Sequence, residues 1–340
     1  MNENIKNITS TPLLQVKGLC KYFPVFSKGF FKKQIGVVKA SDNINFNLVT
    51  GETLGLVGES GSGKTTTGRA ILRAITPTAG EVILNYKNEL IDLTKISHKK
   101  LKQLRPFMQM IFQDPFSSLN PRMTVQDIIA EPLVIHKMAK GSVLEDRVIQ
   151  IMKKVGLKPE HKSRYPHAFS GGQRQRIGIA RALIMNPALI VCDEAVSALD
   201  VSVQAQVINL LSDLQQEFGL TYIFIAHDLS VVKHICDRVA VMYAGKIVEL
   251  AKTNEIFENP LHPYTKALLS AIPSPDPDKP MNMNISGEVA DPGNLPPGCA
   301  FAPRCEFCVQ QCEQQIPKLK HLADDRYVAC HRSWNVEDSP

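Results

Sequence analysis

The chain has 340 residues, with 39 basic and 33 acidic side chains and a formal net charge of +6. That length allows about two domains and excludes a lone small module, while a mild positive surplus without a dense Lys/Arg stripe excludes nucleic acid as the default partner. With 44% hydrophobic and 21% charged residues and no apolar run of roughly 18 residues, the composition is that of a globular protein without a membrane span.

The first residues, Met1 to Leu14, lack a basic region followed by an apolar one. No secretory signal is therefore expected, and the cytoplasm, where thiols stay reduced, is the expected compartment. Ile44, Phe46 and Leu48 alternate with polar residues as in a half-exposed antiparallel strand. Short apolar runs at 54–57, 109–112, 188–193, 221–226 and 238–244 read as buried parallel strands. Candidate helices at 64–75, 172–185, 202–218 and 228–236 fall between them, the alternation of a doubly wound sheet. The basic run at 95–105 reads as a solvated helix face, with contact to anionic lipid as the alternative. Residues 124–167 carry helical patterns without a strong strand signal and read as a helical insertion. Seven prolines between Pro273 and Pro297 disfavour helix and central strand, which predicts an extended linker over 273–297.

Gly58, Glu59, Ser60, Gly61, Ser62, Gly63, Lys64 and Thr65 form a full P-loop pattern, continued by Thr66, between a strand and a helix-forming run. Glycines let backbone N–H groups wrap phosphates, the helix offers its positive end, Lys64 reaches the terminal phosphates and the Thr65 hydroxyl can ligate Mg2+. The apolar run ending at 193 closes on Asp193 and Glu194. A carboxylate at a strand's C-terminal edge beside a P-loop can hold Mg2+ through water, which leaves Glu194 to orient an attacking water. The bland alternatives are a chance glycine-rich turn and an acidic pair capping a strand.

Phe169 to Gln173 reads FSGGQ before a strong helix-forming run. It resembles the LSGGQ signature of ABC-type ATPases, with Phe169 in place of leucine, and other motifs of that family follow in order. Gln113 resembles the Q-loop glutamine, Asp200 the D-loop aspartate and His227 the switch histidine, while Phe23 resembles the aromatic that stacks on adenine, with Tyr22 as its rival. Read alone, Gln113 could cap a strand end and His227 could be a surface histidine. The resemblance implies a P-loop NTPase of the α/β class: a RecA-like parallel sheet, an antiparallel β subdomain, a helical insertion and a small Cys-rich C-terminal extension. It places the ATPase domain at 1–255, the helical subdomain at about 114–185, and the extension at 256–340 with its tail at 298–340. It further implies that Ser170, Gly171, Gly172 and Gln173, with Asp200, face the nucleotide of a second subunit, so that the ATP site is completed in trans. Lys64, Glu194 and His227 take the catalytic roles, and Thr65, Gln113 and Asp193 the Mg2+.

The segments GETLGLVGESGSGKTTTGRAILR, IFQDPFSSLNPRMTV and HPYTKALLSAIP are similar to the ATPase subunits of oligopeptide and dipeptide importers. That resemblance implies ATP hydrolysis coupled to transport at the cytoplasmic face of the cell membrane. The expected partners are a homologous second ATPase subunit in a heterodimer, two permease subunits and an extracytoplasmic peptide-binding protein, with no nucleic acid. A nickel or other non-peptide importer of the same subfamily remains open. A soluble ABC ATPase of DNA repair or translation fits less well, because the chain has one P-loop and no room between Gln113 and Ser170 for a long coiled coil.

Cys20, Cys192 and Cys236 are scattered, whereas Cys299, Cys305, Cys308, Cys312 and Cys330 crowd the tail. Disulfides are disfavoured in a reducing compartment, so the thiols suggest zinc, an iron–sulfur cluster or free cysteines. The family resemblance implies a 4Fe-4S cluster on Cys299, Cys305, Cys312 and Cys330, with Cys308 as a bystander or substitute. The tail has few large apolar residues, so it is expected to fold apart from the ATPase sheet with a bound metal as its staple.

Overall fold

The computed structural model describes residues 11–27, 33–271, 290–322 and 325–332. In chain order, β1 (Leu14–Phe26) and β2 (Gln34–Leu48) pair antiparallel, and β3 (Thr53–Val57) leads through the glycine-rich loop into α1 (Lys64–Ile71). β4 (Ala79–Tyr86) and β5 (Glu89–Asp92) form a hairpin, followed by α2 (His98–Leu104) and β6 (Met108–Ile111). Helices α3 (Val125–Ile135), α4 (Gly141–Lys154) and α5 (Gly171–Leu183) precede β7 (Leu189–Asp193). Then come α6 (Val201–Phe218), β8 (Thr221–Ala226), α7 (Leu229–Ile235), β9 (Arg238–Tyr243), β10 (Lys246–Lys252), α8 (Thr253–Glu258) and α9 (Pro263–Ser270). The last elements are α10 (Gln310–Gln314), β11 (Lys320–His321) and β12 (Tyr327–Val328).

Two sheets result. The smaller is antiparallel, in the order β2-β1-β4-β5; the larger runs β11-β12-β10-β9-β3-β8-β7-β6. All five expected apolar runs lie in its parallel part, β9-β3-β8-β7-β6. Every residue of β3, β7 and β8 is buried, as strands covered on both faces require. One face packs against α1 and the small sheet, the other against α3, α5, α6 and α7. This arrangement leaves the carboxyl ends of β3, β7 and β8 together at one edge of the sheet, where ligands bind in open α/β folds.

The sequence expectation and the structure differ at several boundaries. α1 stops at Ile71 rather than 75, because Arg73 takes a left-handed φ of 52°. The side chain of Arg105 then donates to the Leu72 and Arg73 carbonyls at 2.6 and 3.0 Å, replacing the helical bonds that end there. The insertion at 124–167 holds α3 and α4, but its last part is two single 3-10 turns, Pro159–His161 and Pro166–Ala168. The basic run at 95–105 is α2, with Leu101 and Leu104 buried and Lys99, Lys100 and Lys102 exposed. Among the described residues no helix is long and apolar enough to cross a membrane.

The C-terminal residues join the main sheet instead of folding apart from it. β12 pairs antiparallel with β10, Glu249 opposite Val328 and Leu250 opposite Tyr327, and β11 pairs with β12. β10 would otherwise present a bare edge, and the tail covers it. Residues 273–289 of the expected linker and the N-terminal residues 1–10 lie outside the described residues. Of the rest of the linker, Leu295 packs against the core and the Ala290 N–H donates to the Tyr243 hydroxyl at 3.3 Å.

Candidate active site

The P-loop follows from its glycines. Gly58 and Gly63 have φ of 147° and 99°, and a Cβ would stand 2.2 Å from the Met242 carbonyl oxygen at the first and 1.9 Å from the Ala40 carbonyl oxygen at the second. Gly63 starts α1, so the loop is pressed against β2 and the β9–β10 turn, where the Gly245 N–H donates to the Ser62 carbonyl at 3.0 Å. Lys64 is buried, and its ammonium donates to the carbonyls of Gly58 and Glu59 at 2.8 and 2.9 Å. Burial lowers the pKa of this ammonium, while Glu194, Asp193 and Glu59 pull the other way. The lysine thus curls back into a loop of inward-facing carbonyls, the position it would leave for an anionic ligand.

Asp193, the last residue of β7, is fully buried and accepts from the Thr65 hydroxyl at 2.7 Å. Arg69, one turn along α1, reaches its other oxygen at 3.5 Å. Burial pushes the Asp193 carboxyl up, against the pull of Thr65 and Arg69. The next residue, Glu194, stands at a left-handed φ of 46°, a strained backbone for a side chain of this type. That turn aims its carboxylate at two partners. Gln113 Nε2 donates to Glu194 Oε2 at 2.7 Å, and His227 Nδ1 lies 3.3 Å from the same oxygen. Residues from the ends of β6, β7 and β8 therefore meet beside the P-loop, although Gln113 and Glu194 are 81 positions apart.

Phe23 and Tyr22 separate clearly. The Tyr22 hydroxyl donates to Asp42 at 2.6 Å, whereas the Phe23 ring is exposed, with the Lys21 ammonium 4.8 Å from its centre. Phe23 pairs with Val38, two residues from the Ala40 carbonyl that touches Gly63. An exposed aromatic beside a phosphate loop is open to stacking.

The signature residues are not brought to this P-loop. Ser170 caps α5 in a capping box with Gln173: its hydroxyl accepts the Gln173 N–H at 3.4 Å, and the Gln173 side chain accepts the Ser170 N–H at 3.1 Å. Gly172 lets α5 approach α6, since a Cβ there would lie 2.4 Å from Val203; at Gly171 it would lie 3.4 Å from Leu199. Asp200 caps α6, accepting from the Val203 N–H at 3.0 Å and the Ser202 hydroxyl at 2.8 Å; these bonds hold its carboxyl below the ordinary range. Among the described residues no hydrogen bond links Ser170–Gln173 to the P-loop.

Sequence reasoning missed what supports the loop from behind. The Tyr264 hydroxyl of α9 accepts the Glu59 N–H at 2.8 Å. The Glu59 carboxylate takes both guanidinium arms of Arg304 at 2.8 and 2.9 Å, across 245 positions. Tyr243, Tyr264, Phe301 and His262 pack at tilted and edge-on angles beside that contact. His262 Nδ1 caps α9 by accepting the Tyr264 N–H at 3.0 Å, and Glu249, fully buried, accepts the Leu261 and His262 N–H groups at 2.9 Å. The only sequence sign was the HPYTKALL segment itself, which carries no local hint of a P-loop contact.

Cys299, Cys305, Cys312 and Cys330 line one small cavity with Phe301 and His331. Burial and the neighbouring thiols push Cys299 up to about 11 and raise Cys305 and Cys330. Cys308 is not in that lining. Among the described residues no group of three or more His, Cys, Asp or Glu side chains is arranged to hold a metal ion.

Comparison with known proteins supplies the family and the fold. The ABC transporter family model matches residues 41–197, and the model of the oligopeptide/dipeptide transporter C-terminal region matches residues 248–312. The chain is 51% identical over 323 residues to the oligopeptide transport ATP-binding protein AppF of Bacillus subtilis, covering 94% of this chain and 97% of that one. Among solved structures, the dimeric, post-hydrolysis ATP-binding cassette MJ0796 bound to ADP and Pi matches with a TM-score of 0.60 and 28% identity, over 71% of this chain and 98% of that one. A second, cbiO1 from Clostridium perfringens, described as part of the ABC transporter complex cbiONQ, matches with a TM-score of 0.61 and 28% identity over 74% and 92%. Fold and site therefore define an ABC-type ATPase. Within that class, the chain belongs to the family of oligopeptide/dipeptide transporter ATP-binding proteins.

Proposed function

We propose that this chain is the ATP-hydrolysing subunit that energises import of peptides through a membrane-bound ABC complex. The observation that carries the chemistry is the meeting of Gln113 and His227 on one oxygen of Glu194, beside the buried Thr65–Asp193 pair. Lys64 exchanges the Gly58 and Glu59 carbonyls for the terminal phosphates of ATP, and Phe23 stacks on the adenine. The Thr65 hydroxyl, Gln113 and Asp193 fit Mg2+: they are oxygen donors from the start of α1 and from the ends of β6 and β7, and Asp193 is a buried carboxylate that a cation would keep ionised. Bound there, Mg2+ would neutralise charge on the phosphate oxygens. Glu194 orients the attacking water, Gln113 and His227 hold that carboxylate in place, and His227 turns to the terminal phosphate.

Ser170, Gly171, Gly172, Gln173 and Asp200 act on the nucleotide of a second, homologous subunit in a heterodimer. Their polar atoms face their own helix starts and not this chain's loop, and the related cassette MJ0796 is dimeric. Residues 1–255 form the ATPase domain, whose helical subdomain at about 114–185 receives one of two permease subunits at the cytoplasmic face of the membrane, and residues 256–340 form the extension. A peptide-binding protein supplies the substrate outside. The test is uptake of labelled di- and oligopeptides by the reconstituted complex: Lys64→Ala should abolish both ATP binding and uptake, and undiminished uptake would overturn this reading.

The tail reading extends it. Four thiols share one cavity and, although among the described residues they are not arranged to hold a metal ion, they are the donor types of a thiolate-held 4Fe-4S cluster, and removal of their protons by a cation would reverse the raised pKa values. Cys299, Cys305, Cys312 and Cys330 would hold it, and its contribution would be a structural staple. Full chain purified without oxygen should contain about four irons and lose them when any of the four becomes serine, with Cys308→Ser milder. Stoichiometric zinc in place of iron would replace the cluster with a zinc site.

A further inference from the structure

A glutamate inside a phosphate-binding loop is at odds with the ligand. The Lys64 ammonium donates to the Glu59 carbonyl at 2.9 Å, which sets the two residues side by side, and the Glu59 carboxylate pulls the lysine's pKa upward; in the proposed function that ammonium is the group the loop supplies to the phosphates. Left unpaired, Glu59 would hold the lysine as an internal counter-ion and repel the incoming polyphosphate. Here it is not left unpaired. Arg304 meets it with both arms, in the parallel two-bond geometry that fixes a carboxylate most firmly.

The arginine is itself held in advance. Its side chain is 4% exposed and that of Glu59 20%. The guanidinium lies 5.9 Å from the Tyr243 ring centre and 5.8 Å from that of Phe301, and it donates to the Tyr243 hydroxyl at 3.4 Å. Its backbone belongs to the turn in which Arg304 donates to the Phe301 carbonyl and Ala302 to the Cys299 carbonyl, at 3.0 Å each. We infer that Arg304 is a positioning residue for ATP: by sequestering the Glu59 carboxylate from Lys64, the C-terminal tail tunes the P-loop's affinity for the nucleotide.

The inference rests on the ATPase reading above, and its test separates the two. ATP hydrolysis is measured for the full chain in its assembled complex, with binding of ATP to the full chain as a second readout. Arg304→Met should raise KM for ATP about tenfold with kcat within about twofold of wild type, since Gln113, Glu194 and His227 are untouched. Arg304→Lys, which keeps the charge and loses the fork, should lie between. The deciding variant adds Glu59→Gln to Arg304→Met. With no carboxylate left to sequester, KM should return toward the wild-type value. If Arg304 merely anchors the tail, the double variant will be as impaired as Arg304→Met, and the inference falls. It falls equally if Arg304→Met leaves KM unchanged while Lys64→Ala abolishes binding. A wild-type complex that neither binds nor hydrolyses ATP would overturn both this inference and the reading beneath it.

Discussion

The P-loop edge and the signature edge of the molecule are built in opposite ways. Around the P-loop, carboxylates take partners from distant parts of the chain: Asp193 from Thr65, Glu194 from Gln113 and His227, Glu59 from Arg304. Around the signature, the side chains of Ser170, Gln173 and Asp200 bond, among the described residues, only to groups within three positions. The first edge is wired and braced before any ligand arrives. The second is two capped helix starts with exposed hydroxyl, amide and carboxylate groups. On the proposed reading, one chain would hold one half of an ATP site ready and only present the other half, so that a dimer would control hydrolysis by supplying the surface this chain does not bring to its own P-loop.

The largest test of that contrast removes the chemistry from the wired edge without removing binding. Glu194→Gln keeps an oxygen to accept the hydrogen bond from Gln113 but loses the negative charge proposed to orient water. Turnover should fall by at least about a hundredfold while ATP affinity stays near normal. A near-normal steady-state rate in this variant would remove Glu194 from its role and, with it, the claim that this edge is the reacting one.

A second test acts on the presented edge. Aspartate caps a helix as well as serine does and suits its positive end, so Ser170→Asp should keep α5 and leave unfolding stability within about 0.5 kcal/mol. It puts a negative charge where a second subunit's phosphates would arrive. ATP binding to the single chain should persist, and ATPase of the assembled complex should drop by roughly a hundredfold. Undiminished ATPase would reduce Ser170 to a helix cap and erase the functional half of the comparison.

Legibility in the sequence divides along the same line. The P-loop, the paired carboxylates and all five parallel strands could be read, because each is a local pattern: glycines where φ is positive, apolar runs where both faces are buried. Ser-x-x-Gln at 170–173 was equally local, and as a capping box it explains the folded chain without invoking a nucleotide. What stayed hidden was long-range. Nothing near Arg304 signals Glu59, nothing in HPYTKALL signals that a tyrosine hydroxyl accepts a P-loop N–H, and β12 is too short to read as the strand that closes the β10 edge. The tail looked too poor in apolar residues to order itself; in the structure its Phe301 packs against Tyr243 and Tyr264, which lie outside it.

The smallest expected effect concerns that brace. His262 is buried, and burial pushes its pKa down to about 4 from an ordinary 6.5. Its Nδ1 accepts from the Tyr264 N–H, so the capping role needs the neutral ring. The unfolded chain therefore binds a proton between pH 6.5 and 4 that the folded chain does not. The stability this neutral ring provides is complete above pH 6.5 and lost as pH falls toward 4, by about 2 kcal/mol at pH 5. His262→Asn keeps a capping side chain and removes the titration. Urea unfolding at pH 7.5 and pH 5 should show a smaller acid loss in the variant than in the wild type, with ATP affinity at pH 5 following the same order, because Tyr264 carries the brace to Glu59. Identical acid losses in the two proteins would show that His262 is not the titrating group, and the P-loop's support from behind would then rest on Arg304 and the aromatic rings alone.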